Sequence, residues 1–190
     1  MAMLAGLCEA IDARPYMEGH GSRVSRLAET IALRLGWGAG RIRRLRIGAL
    51  LHDVGKLAIA DTIWDKAERL SEWEYAAIRR HPAAGMRILA RQPDFRFVIP
   101  YVLFHHEHWN GAGYPFGRRG DEIPLEARVL AVADAFDAMT SPRPYGPPLP
   151  VNEAVAEIDR CAGTQFDPLV AGVFVELCRA ASPRLLAAQG

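Results

Sequence analysis

Apolar residues recur at three- and four-residue spacings along most of the chain, and that spacing predicts a succession of helices. Residues 2–13 read as a short helix that breaks near Arg14-Pro15, because a residue before proline is driven to extended backbone. A longer helix is expected from Tyr16 or Glu18 to Leu35, with Val24, Leu27, Ile31 and Leu35 as its apolar stripe and Gly36 as its end. Ala39 to Asp53 follows, with Ile42, Leu45, Ala49 and His52 on one face and Arg41, Arg43, Arg44 and Arg46 on the others. Gly55 is expected to let the chain leave that helix. Leu57 to Leu70 reads as a loop with one short turn around Asp61 to Asp65. Ser71-Glu72-Trp73-Glu74 forms a capping box that opens a helix to about Arg80, and Pro82 can start the next, to about Ala90. Phe97 to Glu107 is a strongly apolar helix, and Trp109 to Pro124 is one long irregular stretch. Pro124 begins a helix with Ala127, Leu130, Asp134 and Ala138 on one face. Asn152 to Cys161 and Asp167 to Ala180 read as packing helices, and the tail from Pro183 is expected to fray.

This pattern gives an all-α fold: one compact multi-helix bundle with a single long loop. At 190 residues and 50% apolar content the chain is long enough for one domain with a core. Its net charge of +1 argues against a nucleic acid polymer as partner. Cys8, Cys161 and Cys178 show no paired spacing and read as reduced thiols, which points to the cytoplasm. Met1 to Cys8 is too short and uncharged for a signal peptide or a membrane span, so no membrane insertion is expected. A module of this kind leaves a regulatory domain or a second copy of itself as partners.

Chemistry enters through the polar residues that interrupt the apolar faces. His20 lies four residues before Val24 and His52 continues the Ile42 stripe, so both point inward. Asp53 adjoins His52 at a helix end, His81 sits at a helix junction, and His105 and His106 end the apolar helix. Singly, each has a bland reading as a hydrogen-bonded core histidine or a cap. Asp134 does not, because a buried carboxylate in an apolar stripe needs a cation. Together they make five imidazoles and two carboxylates, a mixed nitrogen and oxygen set suited to iron, manganese, zinc, cobalt or nickel. That is more than one ion needs. We assign His20, His52, Asp53 and Asp134 to one metal and Asp53, His81, His105 and His106 to a second, with Asp53 bridging. Two such ions can clamp the oxygens of a phosphodiester. Lys56, close after Asp53, would neutralise a phosphate oxygen, and Asp137 is expected to meet Lys56 or a water.

Several of these segments, in this order, resemble an HD-GYP domain of the HD phosphohydrolase superfamily. They are His52-Asp53-Val54-Gly55-Lys56, His81-Pro82, His105-His106-Glu107, Gly113-Tyr114-Pro115, Ala133-Asp134-Ala135-Phe136-Asp137, Arg143-Pro144-Tyr145 and Phe166-Asp167-Pro168. The likeness spans about residues 12–175 and implies a single catalytic domain over 1–190, with its core at about 12–180. It implies hydrolysis of cyclic di-GMP to linear pGpG, and in some members to GMP, at two or three metals, often iron or manganese. Lys56, Asp53 and Asp137 are the implied catalytic groups, and Gly113, Tyr114, Arg143 and Tyr145 the implied substrate contacts, Tyr114 by stacking on guanine. Tyr16 stands where three-metal members carry a further carboxylate, so two metals are expected. Gly146 stands where relatives often have a cation, which implies a weaker hold on the substrate phosphate. Diguanylate cyclase domains are implied partners of the Gly-Tyr-Pro loop. A non-catalytic regulator acting through that loop and an HD hydrolase of other nucleotides are the alternatives.

Overall fold

The computed structural model describes residues 2–64, 66, 70–142 and 147–187, the side chains of 182–187 apart. Arg143, Tyr145 and Gly146, three positions implied in substrate binding, lie outside the described residues. Among the described residues ten α-helices follow in order: α1 (Ala2–Asp12), α2 (His20–Arg34), α3 (Ala39–Leu51), α4 (Asp61–Trp64), α5 (Glu72–Ile78), α6 (His81–Ala90), α7 (Ile99–Phe104), α8 (Leu125–Thr140), α9 (Val151–Arg160) and α10 (Pro168–Ala187). There is no strand among the described residues, as the spacing predicts. The core is continuous from Val24 and Ile31 on α2 through Leu45 and Leu51 on α3 to Leu130 on α8 and Phe174 on α10.

Local chemistry explains where helix boundaries depart from expectation. α2 starts at His20 because Tyr16 and Gly19 both hold left-handed backbone, with φ of 63° and 66°. The segment expected as one helix from Phe97 to Glu107 is a tight 3-10 stretch, Pro93–Val98, followed by α7. Pro100 lies in the first turn of α7, where a missing N–H costs nothing. The short turn expected around Asp61 to Asp65 is α4, and a 3-10 turn, Val54–Ala58, precedes it where the loop was expected to begin. α10 continues through Pro183 to Ala187, where fraying was expected. The capping box at Ser71 forms as read: Ser71 and Glu74 satisfy each other's backbone N–H groups.

Gly55 has a different purpose from the one its position suggests. Its φ is not positive, so no left-handed turn requires it. A Cβ there would stand 1.8 Å from the His81 carbonyl oxygen and 2.5 Å from the Gly85 nitrogen. The glycine lets the turn after α3 lie directly on the first turn of α6, which sets His52 and Asp53 against His81.

Gly55→Ala is therefore expected to destabilise the domain by about 1–3 kcal/mol or more, because two backbones must separate. Gly40→Ala, where a Cβ would meet nothing within 4 Å, is expected to raise stability by about 0.5–1 kcal/mol. Thermal melts of both variants beside the parent protein check the contrast.

Candidate metal centre

Four helix ends and one helix face deliver the donors. His20 is the first residue of α2, His52 caps α3, His81 opens α6, His105 caps α7, and Asp134 comes from within α8. The structure gathers them into two groups: His20, His52 and Asp134, and Asp53, His81, His105 and His106. Within each group the donor atoms lie within 4.8 Å of one another. Asp53 faces both. Its Oδ2 is 3.4 Å from His20 Nε2 and 3.3 Å from His52 Nε2, while its Oδ1 is 3.2 Å from His81 Nε2 and 3.9 Å from His105 Nε2.

The rings are aimed by hydrogen bonds at their other nitrogens. His52, His81 and His105 donate Nδ1–H to the carbonyls of Ala49, Ile78 and Val102 at 2.7, 2.9 and 2.7 Å. Each carbonyl lies three residues back, in the last turn of the preceding helix for all three (α3, α5 and α7), so these helix ends fix the tautomers. That tautomer leaves Nε2 as an acceptor. Yet the Nε2 atoms of His20 and His52 are 3.3 Å apart, as are those of His81 and His105. Nitrogens so close need a proton or a metal cation between them, and nitrogens bound to one ion at about 2.0–2.1 Å have a spacing of this order. Asp53 Oδ1 makes the same demand: it is buried and accepts no hydrogen bond. The donor set therefore fits a divalent metal centre.

Electrostatics divide the centre in two. Burial opposes charge on His20, but Asp134, Asp137 and Asp53 lift its pKa to about 11. Burial likewise opposes charge on His52, which Asp53 and Asp134 lift to about 9. Against their own burial, Asp53 is held well below the usual carboxylate range by His52 and Lys56, and Asp134 by His20 and His52. In the other half His105 and His106 are held neutral. Burial and the rings of His106, His52 and His81 keep His105 well below its ordinary value, and burial pushes His106 down to about 3.

Asp134 is less enclosed than its stripe suggests. Its side chain is 17% exposed, because it opens onto a cavity of about 340 Å³ instead of into the apolar core. Lys56, His105 and His106 line the cavity together with apolar side chains, among them Ala131, Ala135, Met139, Cys161 and Phe166. Lys56 is beside the centre, with Nζ 2.6 Å from Asp53 Oδ2. Asp137 is not beside Lys56, which corrects the expected contact. One turn beyond Asp134 on α8, it faces α2, accepts from His20 Nδ1 at 2.7 Å and is gripped by Arg23 at 2.6 Å. It orients a donor, as groups behind metal ligands commonly do. Arg23 escaped sequence reading, although it lies three residues after His20 on the same helical face.

The Gly-Tyr-Pro segment packs against the helix end that carries His106. A Cβ on Gly113 would stand 2.2 Å from the His108 nitrogen and 2.5 Å from the His106 carbonyl oxygen, so this residue packs on backbone. The Tyr114 ring stacks on His106 at 4.8 Å and 25°, and Arg79 stands 4.5 Å from the ring centre. Its N–H donates to the His106 carbonyl at 3.1 Å. A ring so engaged supports His106 and has little face left for a guanine. Glu107, buried beside it, accepts from the N–H groups of Phe116 and Arg118 at 2.7 and 3.0 Å and so anchors the loop. Arg118 is turned onto the Phe104 ring at 4.3 Å.

A family model described as an HD domain matches residues 7–170. A cyclic di-GMP phosphodiesterase of Thermotoga maritima is 39% identical over 160 residues, 83% of this chain and 44% of that protein. A 3'3'-cGAMP-specific phosphodiesterase of Vibrio cholerae is 38% identical over 159 residues, 83% of this chain and 35% of that protein. The chain thus spans less than half the length of these curated relatives. Among solved structures, an HDG"Y"P protein of Bdellovibrio bacteriovorus superposes with a TM-score of 0.70 at 24% identity, covering 84% of this chain and 51% of that one. At that identity the likeness establishes the fold.

Two outcomes follow from the geometry. His20 and His52, with pKa values lifted to about 11 and 9, carry protons at pH 7 that a metal must displace. Apparent affinity for Mn2+ should then rise with pH between about 6 and 8, by up to about tenfold per unit for each proton released. Calorimetric titration in buffers of different ionisation enthalpy counts those protons, and a pH-independent affinity would contradict the scheme. Tyr114→Ala should lower metal occupancy by loosening His106, whereas Tyr114→Phe keeps the stacked ring and should retain it. Elemental analysis of the two variants decides between this and a loop that leaves the centre untouched.

Proposed function

This chain belongs to the HD domain family, and on that footing we propose that it is a metal-dependent phosphodiesterase of the HD-GYP type that hydrolyses cyclic di-GMP. One observation carries the reading: Asp53 presents one oxygen to His20 and His52 and the other to His81 and His105, beside a cavity bordered by Lys56. A carboxylate shared in this way supports two ions. His20, His52, Asp53 and Asp134 would hold one, and Asp53, His81, His105 and His106 the other. Nitrogen and oxygen donors without a thiolate favour iron or manganese, with zinc, nickel or cobalt able to substitute. Ions bound there supply Lewis acidity to phosphodiester oxygens and make a water acidic enough to attack.

The chain's own residues do the rest. Asp134 and the imidazoles fix where the phosphodiester can sit. Lys56 brings the one ammonium that borders both Asp53 and the cavity among the described residues, placed to neutralise charge building on a non-bridging oxygen. Asp137 and Arg23 hold His20 to its tautomer. Apolar side chains of Ala131, Ala135, Met139 and Phe166 line part of the cavity. Water's oxygen ends on phosphorus, and the sugar hydroxyl leaves with a proton, giving the linear dinucleotide pGpG. A second cleavage of pGpG would give GMP. The unpaired cysteines are in keeping with a cytoplasmic reaction. No helix among the described residues is long and apolar enough to cross a membrane.

A relative specific for 3'3'-cGAMP makes the mixed cyclic dinucleotide the competing substrate. A second reading, contact with a diguanylate cyclase domain, is favoured by Phe116, 65% exposed at the outer edge of the loop.

The test is incubation of manganese-loaded protein with cyclic di-GMP and, separately, with 3'3'-cGAMP, with products followed by chromatography and Lys56→Ala as control. Linear dinucleotide from cyclic di-GMP is expected, and absence of hydrolysis of both substrates by metal-replete protein would sink the proposal. Asp53→Ala should abolish turnover and lower metal content at both positions. His20→Ala should remove one ion and leave the other. Equal metal loss in the two variants would refute the shared-carboxylate arrangement.

A further inference from the structure

Lys56 is held on three sides, and only one of them is a charge. Nζ donates to Asp53 Oδ2 at 2.6 Å, lies 3.9 Å from the Met17 sulfur, and stands 5.2 Å from the centre of the Trp64 ring. Trp64 is itself fastened, since its indole N–H donates to the Pro15 carbonyl at 3.3 Å. Arg14 completes the assembly. It pairs with Asp61, donates to the carbonyls of Lys56 and Ile59 at 3.1 and 2.7 Å, and stands 5.9 Å from the Trp64 ring. The turn between α1 and α2 and the short helix α4 thus close around the lysine from outside the donor cluster. Neither Trp64 nor Arg14 belongs to either donor group.

A lysine side chain is a compact, strongly hydrated charge on a flexible stem. At the edge of a water-accessible cavity it has many alternatives to the one geometry in which it serves a substrate. Asp53 holds it while that carboxylate has charge to spare, and cations shared by the same carboxylate would weaken the hold. The indole is no ligand for such ions, so they would not draw it from the lysine, and Arg14, the other cation near the ring, stands farther from its centre at 5.9 Å. An ammonium within about 6 Å of a Trp ring centre is attracted by the ring quadrupole, and the soft sulfur of Met17 packs without adding a rival charge.

We propose that Trp64 is a positioning residue for Lys56: the Trp64 face, backed by Arg14 and flanked by Met17, keeps the ammonium at the mouth of the cavity where a phosphate oxygen arrives. The consequence for turnover rests on the hydrolytic reading above. The effect on phosphate binding does not.

The test is a double-mutant cycle on full-length, manganese-loaded protein, with Trp64→Leu, Lys56→Ala and the two combined. Trp64→Met is a second variant lacking the π face, and Trp64→Phe restores part of it. Two quantities are read: inorganic phosphate affinity by calorimetry, and kcat and KM for cyclic di-GMP. Trp64→Leu and Trp64→Met should weaken phosphate binding and lower kcat by about three- to tenfold, with metal content and melting temperature near those of the parent. Trp64→Phe should recover to within about twofold. In the Lys56→Ala background, Trp64→Leu should have no further effect. An equal fractional loss with and without Lys56 would overturn the proposal, as would phosphate binding that ignores Lys56. Lys56- and Trp64-dependent phosphate binding in a protein that hydrolyses no cyclic dinucleotide would sustain the positioning role and sink the hydrolytic reading instead.

Discussion

The Asp53 carboxylate, buried with one oxygen unpartnered and four imidazoles around it, is the constraint to which the rest of the structure answers. A buried carboxylate surrounded by lone pairs cannot persist without positive charge. Protons on His20 and His52, together with the Lys56 ammonium, meet that need on one side. On the other side His105 and His106 stay neutral and Oδ1 is left bare. The arrangement makes chemical sense as a seat for metal cations. Each device around it, from the carbonyls behind His52, His81 and His105 to Asp137 and Arg23 behind His20, limits the ways in which the rings can turn away.

How much of this could be read in the sequence depended on whether a feature was local. The helices follow from spacing, and so do the inward directions of His52 and Asp134, because a helical period reports which face a side chain occupies. Spacing does not report what lies opposite. Asp137 is one turn from Asp134 and looked free to meet Lys56, but only the packing of α8 on α2 reveals His20 and Arg23 as its partners. Gly55 looked like an ordinary helix terminator, and its close approach to α6 is invisible until α6 is placed. Tyr114 has the chemistry of a stacking platform. That His106 and Arg79 already occupy its ring is a fact of the loop's fold. The error at α2 was of another kind: left-handed backbone at Tyr16 and again at Gly19 outweighed an apolar pattern that would have carried the helix further back.

The long loop after His106 is ordered by polar contacts more than by apolar burial. Glu107 takes two backbone N–H groups from it, and the Trp109 and Asn110 N–H groups reach the Gln165 and Thr164 carbonyls. Arg128 on α8 closes the far end by pairing with Asp121 and with the buried Asp167. A stretch rich in glycine thus behaves as part of the framework, and His106 takes its orientation from it. The outward residues Phe116 and Arg119 are left over, and they give this rim its character.

The donors lie far apart in sequence, from His20 at the start of α2 to Asp134 in α8, and most of them close a helix end. Ions seated among them would act as a cross-link among five helices. To unfold any one of these segments the chain must first release the metal, so occupancy would raise the barrier to opening as well as the equilibrium stability. Proteases capture chains that open. The lifetime of the folded domain would then follow the supply of its metal: a shortage would leave the chain open to proteolysis as well as empty.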